Sequence, residues 1–206
     1  MAKKNNKEEM APQKLFYIFY SKERWDNWLN SLSDLDFDGT NEDEMPEGYR
    51  ALNSFMEDIT IAVLKVVRLY QNNRFSKEEA AGRLRDIEEI VMAELPEGRL
   101  GEIILSVQLS LRVLFVSSQK YLEGSFDKDI KSLVKKGRKQ VEEDPEGALD
   151  TAAQIGAGVI DGATCCDKFL KDDAGTLFDE WLMEIETMRD DFKSLKNFDE
   201  APGEEF

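Results

Sequence analysis

Residues 96–122, PEGRLGEIILSVQLSLRVLFVSSQKYL, decide the fold, because two periodicities compete within them. Leu100, Ile103, Val107, Leu111, Leu114 and Ser118 recur at steps of three and four, which puts them on one face of an α-helix. From Leu105 to Phe115 every odd position is also apolar, and Ser106, Gln108, Ser110 and Arg112 alternate with them, which is the period of a strand. Length separates the two readings. Strands usually run about 3–10 residues, and this run continues from Gly98 to Gly124. As a bilayer span it would hold Glu102 and Arg112 in hydrocarbon without partners. The segment reads as a buried central helix.

The tripeptide Pro-Glu-Gly that opens this run occurs three times, at Pro46, Pro96 and Pro145. Proline suits a first helical turn, where its missing N–H is no loss, and the acid beside it meets the positive end of the helix dipole. A long periodic segment follows each copy. After the first come Tyr49, Leu52, Met56, Ile59, Val63, Val66 and Tyr70; after the third come Ala152, Ile155, Val159, Ala163, Cys166 and Phe169. Shorter companion helices are expected from Ser76, near Ser125 and near Asp173; Ser76-Lys77-Glu78-Glu79 is a capping box. The expected fold is all-α, with three antiparallel helical hairpins over 46–94, 96–143 and 145–195, closed as a bundle or stacked as a short solenoid. An internal repeat and a good helix start used three times are both compatible with this pattern.

Four regions follow: a disordered N-terminus (1–12), an aromatic arm with a short helix and an acidic loop (13–45), the hairpin domain (46–195) and a disordered acidic tail (196–206). The arm concentrates Phe16, Tyr17, Phe19, Tyr20, Trp25, Trp28 and Phe37. Such residues either complete a core or anchor a partner, since aromatics dominate interface hot spots.

Composition limits the chemistry. The chain has 206 residues, 27 basic and 43 acidic, for a net charge of −16, with no histidine and two cysteines. Zero histidine excludes His-based triads, His-ligated zinc and imidazole acid–base catalysis. The negative charge argues against general nucleic-acid binding. The polar opening, Met1 to Glu9, lacks a signal-peptide core, so a cytoplasmic location is expected. Cys165 and Cys166 are adjacent; on a helix their side chains would diverge by about 100°, so Cys166 reads as a core thiol and not half of a redox pair. Gly156, Gly158 and Gly162 favour close helix approach, because none of the phosphate-loop glycine spacings is present.

Two motifs carry possible binding chemistry. Residues 34–45 are similar to an EF-hand calcium loop, with Asp34, Asp36, Asp38, Thr40 and Glu42 at ligand positions and Gly39 at the turn. The bidentate glutamate expected last is Met45, which weakens the match, and a plain acidic loop is the competing reading. Downstream, Lys128, Lys131, Lys135, Lys136, Arg138 and Lys139 form a basic stripe opposite Ile130, Leu133, Val134 and Val141. That stripe serves either internal pairing and solvation or a local contact with RNA, phosphate or an acidic partner. The acidic spacings of magnesium-dependent nucleotide hydrolases are absent, because Glu78-Glu79 is followed by Gly82, and no nucleophile–base pair is legible.

The run Phe19-Tyr20-Ser21-Lys22-Glu23-Arg24-Trp25-Asp26-Asn27-Trp28, leading into Asp36-Phe37-Asp38, resembles the opening of domain-of-unknown-function family 2150, an uncharacterised archaeal family common in methanogens. The resemblance rests on this opening alone. It implies an archaeal cytoplasmic protein of about this size, and transfers no activity and no site residues. The functional expectation is a non-enzymatic acidic adaptor binding a basic protein or assembly. Its anchors would be Phe16, Tyr17, Phe19, Tyr20, Trp25 and Trp28, with Lys131, Lys135, Lys136 and Lys139 as a second contact. Direct nucleic-acid contact is expected only locally through 128–139, and no membrane role. The alternative is a calcium-binding module using Asp34, Asp36, Asp38, Thr40 and Glu42; no other cofactor is expected.

Overall fold

The computed structural model describes residues 19–38, 45–165, 169, 175–196 and 198. They form seven helices and no strand: α1 (Lys22–Ser33), α2 (Glu47–Gln71), α3 (Lys77–Val91), α4 (Arg99–Glu123), α5 (Ile130–Gln140), α6 (Pro145–Ile160) and α7 (Leu177–Ser194). The all-α expectation holds, and the deciding stretch is a single 25-residue helix. By length and composition α4 is apolar enough to cross a membrane, but half of that stretch is buried inside the protein. Its neighbours are α2, α3, α6 and α7.

Local chemistry sets the helix ends. Ser21, Ser76, Asp129, Asp144 and Thr176 each accept a hydrogen bond from a backbone N–H in the first turn of their helix. Ser76 and Glu79 complete the expected capping box. The three Pro-Glu-Gly copies open their helices differently. Pro46 is the N-cap of α2, Pro145 is the first residue of α6, and Pro96 lies upstream of α4, where Gly98 caps the helix at φ +84°. Gly48 has its own steric reason: a Cβ there would come within 2.8 Å of the Phe37 ring.

The long helices α2, α4 and α6 run side by side in the same direction. Arg112 on α4 pairs with Glu146 at the start of α6, and further along Lys120 pairs with Asp150. At the far end the Gln71 side-chain amide joins all three, donating to Tyr121 Oη (3.0 Å) and to the Ile160 carbonyl (3.3 Å). α3 packs on α2 and α4, while α7 lies against α2, α4 and α6. One continuous hydrophobic core results.

Two expectations are corrected. The middle pair is not a hairpin of α4 with α5. Instead α5 folds back on α6, where the Thr151 hydroxyl donates to Gln140 Oε1 at 2.9 Å, and it also touches α7. Residues 124–129 carry the chain from Gly124, left-handed at φ +72°, to the Asp129 cap, and α5 starts at Ile130 instead of near Ser125. Its apolar face (Ile130, Leu133, Val134, Gly137) is then buried, with Gly137 so near the Phe178 ring that a Cβ would clash. The third long helix also stops at Ile160 and does not run on through Cys166 and Phe169; Gly162 breaks it at φ +99°. Cys165 is buried beyond the helix and is disulfide-bonded. Cys166, the other cysteine of the chain, lies outside the described residues.

The small residues of α6 do serve close packing. A Cβ at Gly156 would lie 2.1 Å from Ser117 Oγ on α4, and that hydroxyl is buried without a hydrogen-bond partner. Gly156→Ala is therefore expected to overpack the α4–α6 contact and cost about 1–3 kcal/mol, read as a lower urea midpoint. Adding Ser117→Ala removes the clashing atom and should recover part of the loss.

Candidate functional site

The aromatic arm was the expected anchor, and packing assigns it elsewhere. Phe19, Tyr20 and Trp25 are buried, Trp25 to 2% exposure, and Trp28 is half-buried. The rings of Trp25 and Trp28 lie 5.2 and 5.5 Å from the Phe55 ring on α2, and Phe19 meets Phe75 edge-on at 5.9 Å. Asp58 ties the unit down: it accepts from Trp28 Nε1 and Arg24 Nε, each at 2.8 Å. Burial pushes the Tyr20 hydroxyl pKa well above its ordinary value, with the Asp58 charge adding to the shift. These four side chains complete the core and leave no aromatic anchor exposed among them; Phe16 and Tyr17 lie outside the described residues. Trp25→Ala should accordingly cost about 3–5 kcal/mol, seen as a large fall in the denaturation midpoint.

The acidic loop is only partly described, since Gly39 to Glu44, and with them Thr40 and Glu42, lie outside the described residues. Asp38 is engaged by both guanidinium ends of Arg99, and that pairing holds its carboxyl below the usual range. Asp36 Oδ1 accepts from the Asp38 backbone N–H (2.8 Å), closing a tight turn, and Asp34 Oδ1 accepts weakly from Ser33 (3.4 Å). Among the described residues no group of three Asp, Glu or Cys side chains is placed to hold a metal ion. A calcium ion at Asp38 would have to displace Arg99.

The basic stripe divides. Arg138 turns inward to the buried Asp179, donating from Nε at 2.8 Å, and Thr176 Oγ1 donates to the other carboxylate oxygen at 2.8 Å. Lys128 reaches Asp161 at 3.1 Å. Lys131, Lys135, Lys136 and Lys139 stay exposed, and none forms a side-chain ion pair or hydrogen bond among the described residues. Lys136 acts at longer range, helping to lower the Asp150 pKa. The opposite face of α5 is anchored in the core, so the lysines stand on a fixed helix and not on a loop.

Two cavities between α2 and α7 were not legible in the sequence. One, of about 360 Å³, is lined by Glu57, Glu184 and Asp191 with Asn53, Met56, Thr60 and Thr187. Burial raises the Glu184 pKa, with Asp191 and Glu180 adding to it; burial, Glu57 and Asp190 push Asp191 up to about 6. Asp191 Oδ2 is buried without a hydrogen-bond partner. The other cavity, of about 300 Å³, lies where α2, α6 and α7 end, and is bordered by Arg68, Arg189, Lys193 and Lys196 with Asp161. No local pattern announces either, because α2 and α7 are far apart in sequence.

These features describe an all-helical, acidic protein with one lysine-faced helix and two polar cavities of opposite charge. The chain belongs to the family described as an uncharacterised protein conserved in archaea (DUF2150), whose family model matches residues 18–201. The resemblance drawn from the opening residues therefore extends over most of the chain. No curated protein and no solved structure matches it.

The acidic cavity has a consequence for stability. The folded protein holds a proton on Asp191 up to about pH 6, whereas the unfolded chain releases it near 3.9, the ordinary value. Between these values the native state binds more protons, so stability falls as pH rises, and the penalty is complete above about pH 6. Asp191→Asn is expected to stabilise the protein at neutral pH by about 1 kcal/mol, after discounting for solvent screening, with no gain near pH 4. Urea titrations at both pH values measure the difference.

Proposed function

We propose that this protein is a non-enzymatic, cytoplasmic helical adaptor that binds a protein partner by charge complementarity. The observation that carries the reading is the lysine face of α5: Lys131, Lys135, Lys136 and Lys139 are exposed and form no ion pair among the described residues of a chain of net charge −16. In a protein so rich in carboxylates, four lysines on a rigid helix without an acidic partner within 4 Å among the described residues suit an external acidic segment. Burial of the described aromatic arm moves the proposed anchor from Trp25 and Trp28 to α5. The sign of the contact moves with it: the docking segment is acidic, although a basic partner was expected from net charge alone. The calcium alternative has less support, since Arg99 already engages Asp38.

The test uses fluorescence anisotropy with a labelled oligoglutamate peptide and a single-stranded RNA of equal length. The peptide is expected to bind with an affinity that weakens steeply with salt. Lys131→Glu, Lys135→Glu and Lys139→Glu together should abolish binding without changing the circular dichroism spectrum. Peptide binding that survives the triple substitution, or RNA binding in preference to the peptide, would overturn the proposal.

A further inference from the structure

The basic cavity at the ends of α2, α6 and α7 is independent of the α5 lysines, and the two surfaces share no residue. We propose that it binds a small organic phosphate. Its volume, about 300 Å³, lies at the small end of the roughly 300–1,000 Å³ typical of ligand sites.

Arg68 is the centre of the argument. Its guanidinium lies over the Phe192 ring, 3.9 Å from the centroid; one terminal nitrogen donates to Gln71 Oε1 (2.8 Å) and the other to the Phe192 carbonyl (2.8 Å). All of these partners are neutral. Arg68 forms no ion pair with a carboxylate among the described residues, and its Nε–H is buried with no acceptor. A cation is thus held in one orientation, partly out of water, with its charge uncompensated. Burial pulls its pKa below the ordinary arginine value, as expected of a cation with no counter-charge.

Helix-end capping is the competing account. Carbonyls at the ends of helices carry partial negative charge that cations offset. Capping explains the Gln71 contact to the Ile160 carbonyl at the end of α6, while Arg189 is engaged by the Cys165 carbonyl and by Asp190, each at 3.2 Å. It leaves Arg68 Nε without an acceptor, and the Lys196 ammonium on the rim without an ion pair or hydrogen bond among the described residues. Lys193 adds a second exposed rim cation, paired among the described residues with the surface carboxylate of Asp190 at 3.0 Å. The carboxylate in the wall, Asp161, is already engaged by Lys128. Two rim cations on the same cavity as a guanidinium that has no carboxylate partner among the described residues match a phosphoryl group carrying more than one charge. Val159, Ile160 and Phe192 supply an apolar wall, which suits an organic body beside the phosphoryl group.

Isothermal titration of the full chain with ribose 5-phosphate, and separately with inorganic phosphate, tests the assignment. Ribose 5-phosphate is expected to bind with a Kd below about 1 mM and more tightly than inorganic phosphate. Lys193→Glu with Lys196→Glu, on exposed positions that leave the fold intact, should weaken it at least about tenfold. Arg68→Lys keeps the charge but loses the fork, and should weaken it comparably while the protein still melts cooperatively. Lys131→Glu with Lys135→Glu on α5 should leave it unchanged, so this site and the adaptor reading fail or survive separately. No heat up to about 10 mM, equal affinity for inorganic phosphate, or equal loss in the α5 variant would overturn the proposal.

Discussion

The close approach of α4 and α6 is the constraint on which the rest of the structure depends. Gly156 lets the two backbones come together over Ser117, and the pair forms the most extensive contact among the described helices. α6 suits this approach, with alanine or glycine at Ala148, Ala152, Ala153, Gly156, Ala157 and Gly158 among its buried residues. A glycine inside a helix costs about 1 kcal/mol relative to alanine, and the dispersion attraction between closely packed helices offsets that cost. Once α4 and α6 are joined, α5 has one surface to return to, which is α6. That choice turns its lysines outward and fixes where α7 crosses.

Charge in this protein is sorted by place and not merely by amount. Some carboxylates are consumed internally: Asp58 holds the N-terminal aromatic unit, Asp179 draws Arg138 inward, and Asp38 fastens the loop before α2 to Arg99 at the start of α4. Others gather between α2 and α7, where burial raises the proton affinity of Glu184 and Asp191, with the Asp191 charge adding to the first and the Glu57 charge to the second. Toward the C-terminal ends of the same two helices the sign reverses, with Arg68, Lys193 and Lys196 around the second cavity. One helix pair therefore presents an acidic and a basic cavity along its length. Low dielectric inside each makes either sign costly without a counter-ion.

The aromatic arm illustrates how composition alone misleads about function. A cluster of Trp, Tyr and Phe near a chain end carries the composition of a hot spot, but the same side chains are equally good at closing a core. The deciding quantity is whether an apolar surface of the same chain is within reach. Phe55 and Phe75 supply it here, and Asp58 satisfies the Trp28 indole N–H that burial would otherwise strand. The described part of the arm packs over α2 and α3.

The sequence by itself determined the helical class, where the long helices begin and the capping box at Ser76, because these depend on periodicity and hydrogen bonds within a few residues. It also placed Lys131, Lys135, Lys136 and Lys139 on one amphipathic helix. Only the tertiary structure decided that α5 lies on α6, that α6 stops at Ile160, that Arg138 leaves the basic stripe for Asp179, and that Arg68 meets Phe192 across 124 positions of the chain. The physical reason is the range of the interactions. Helix formation is settled by neighbours three and four apart, whereas which helix covers which, and which charges are left uncompensated, depends on steric fit and desolvation between segments with no pattern in common.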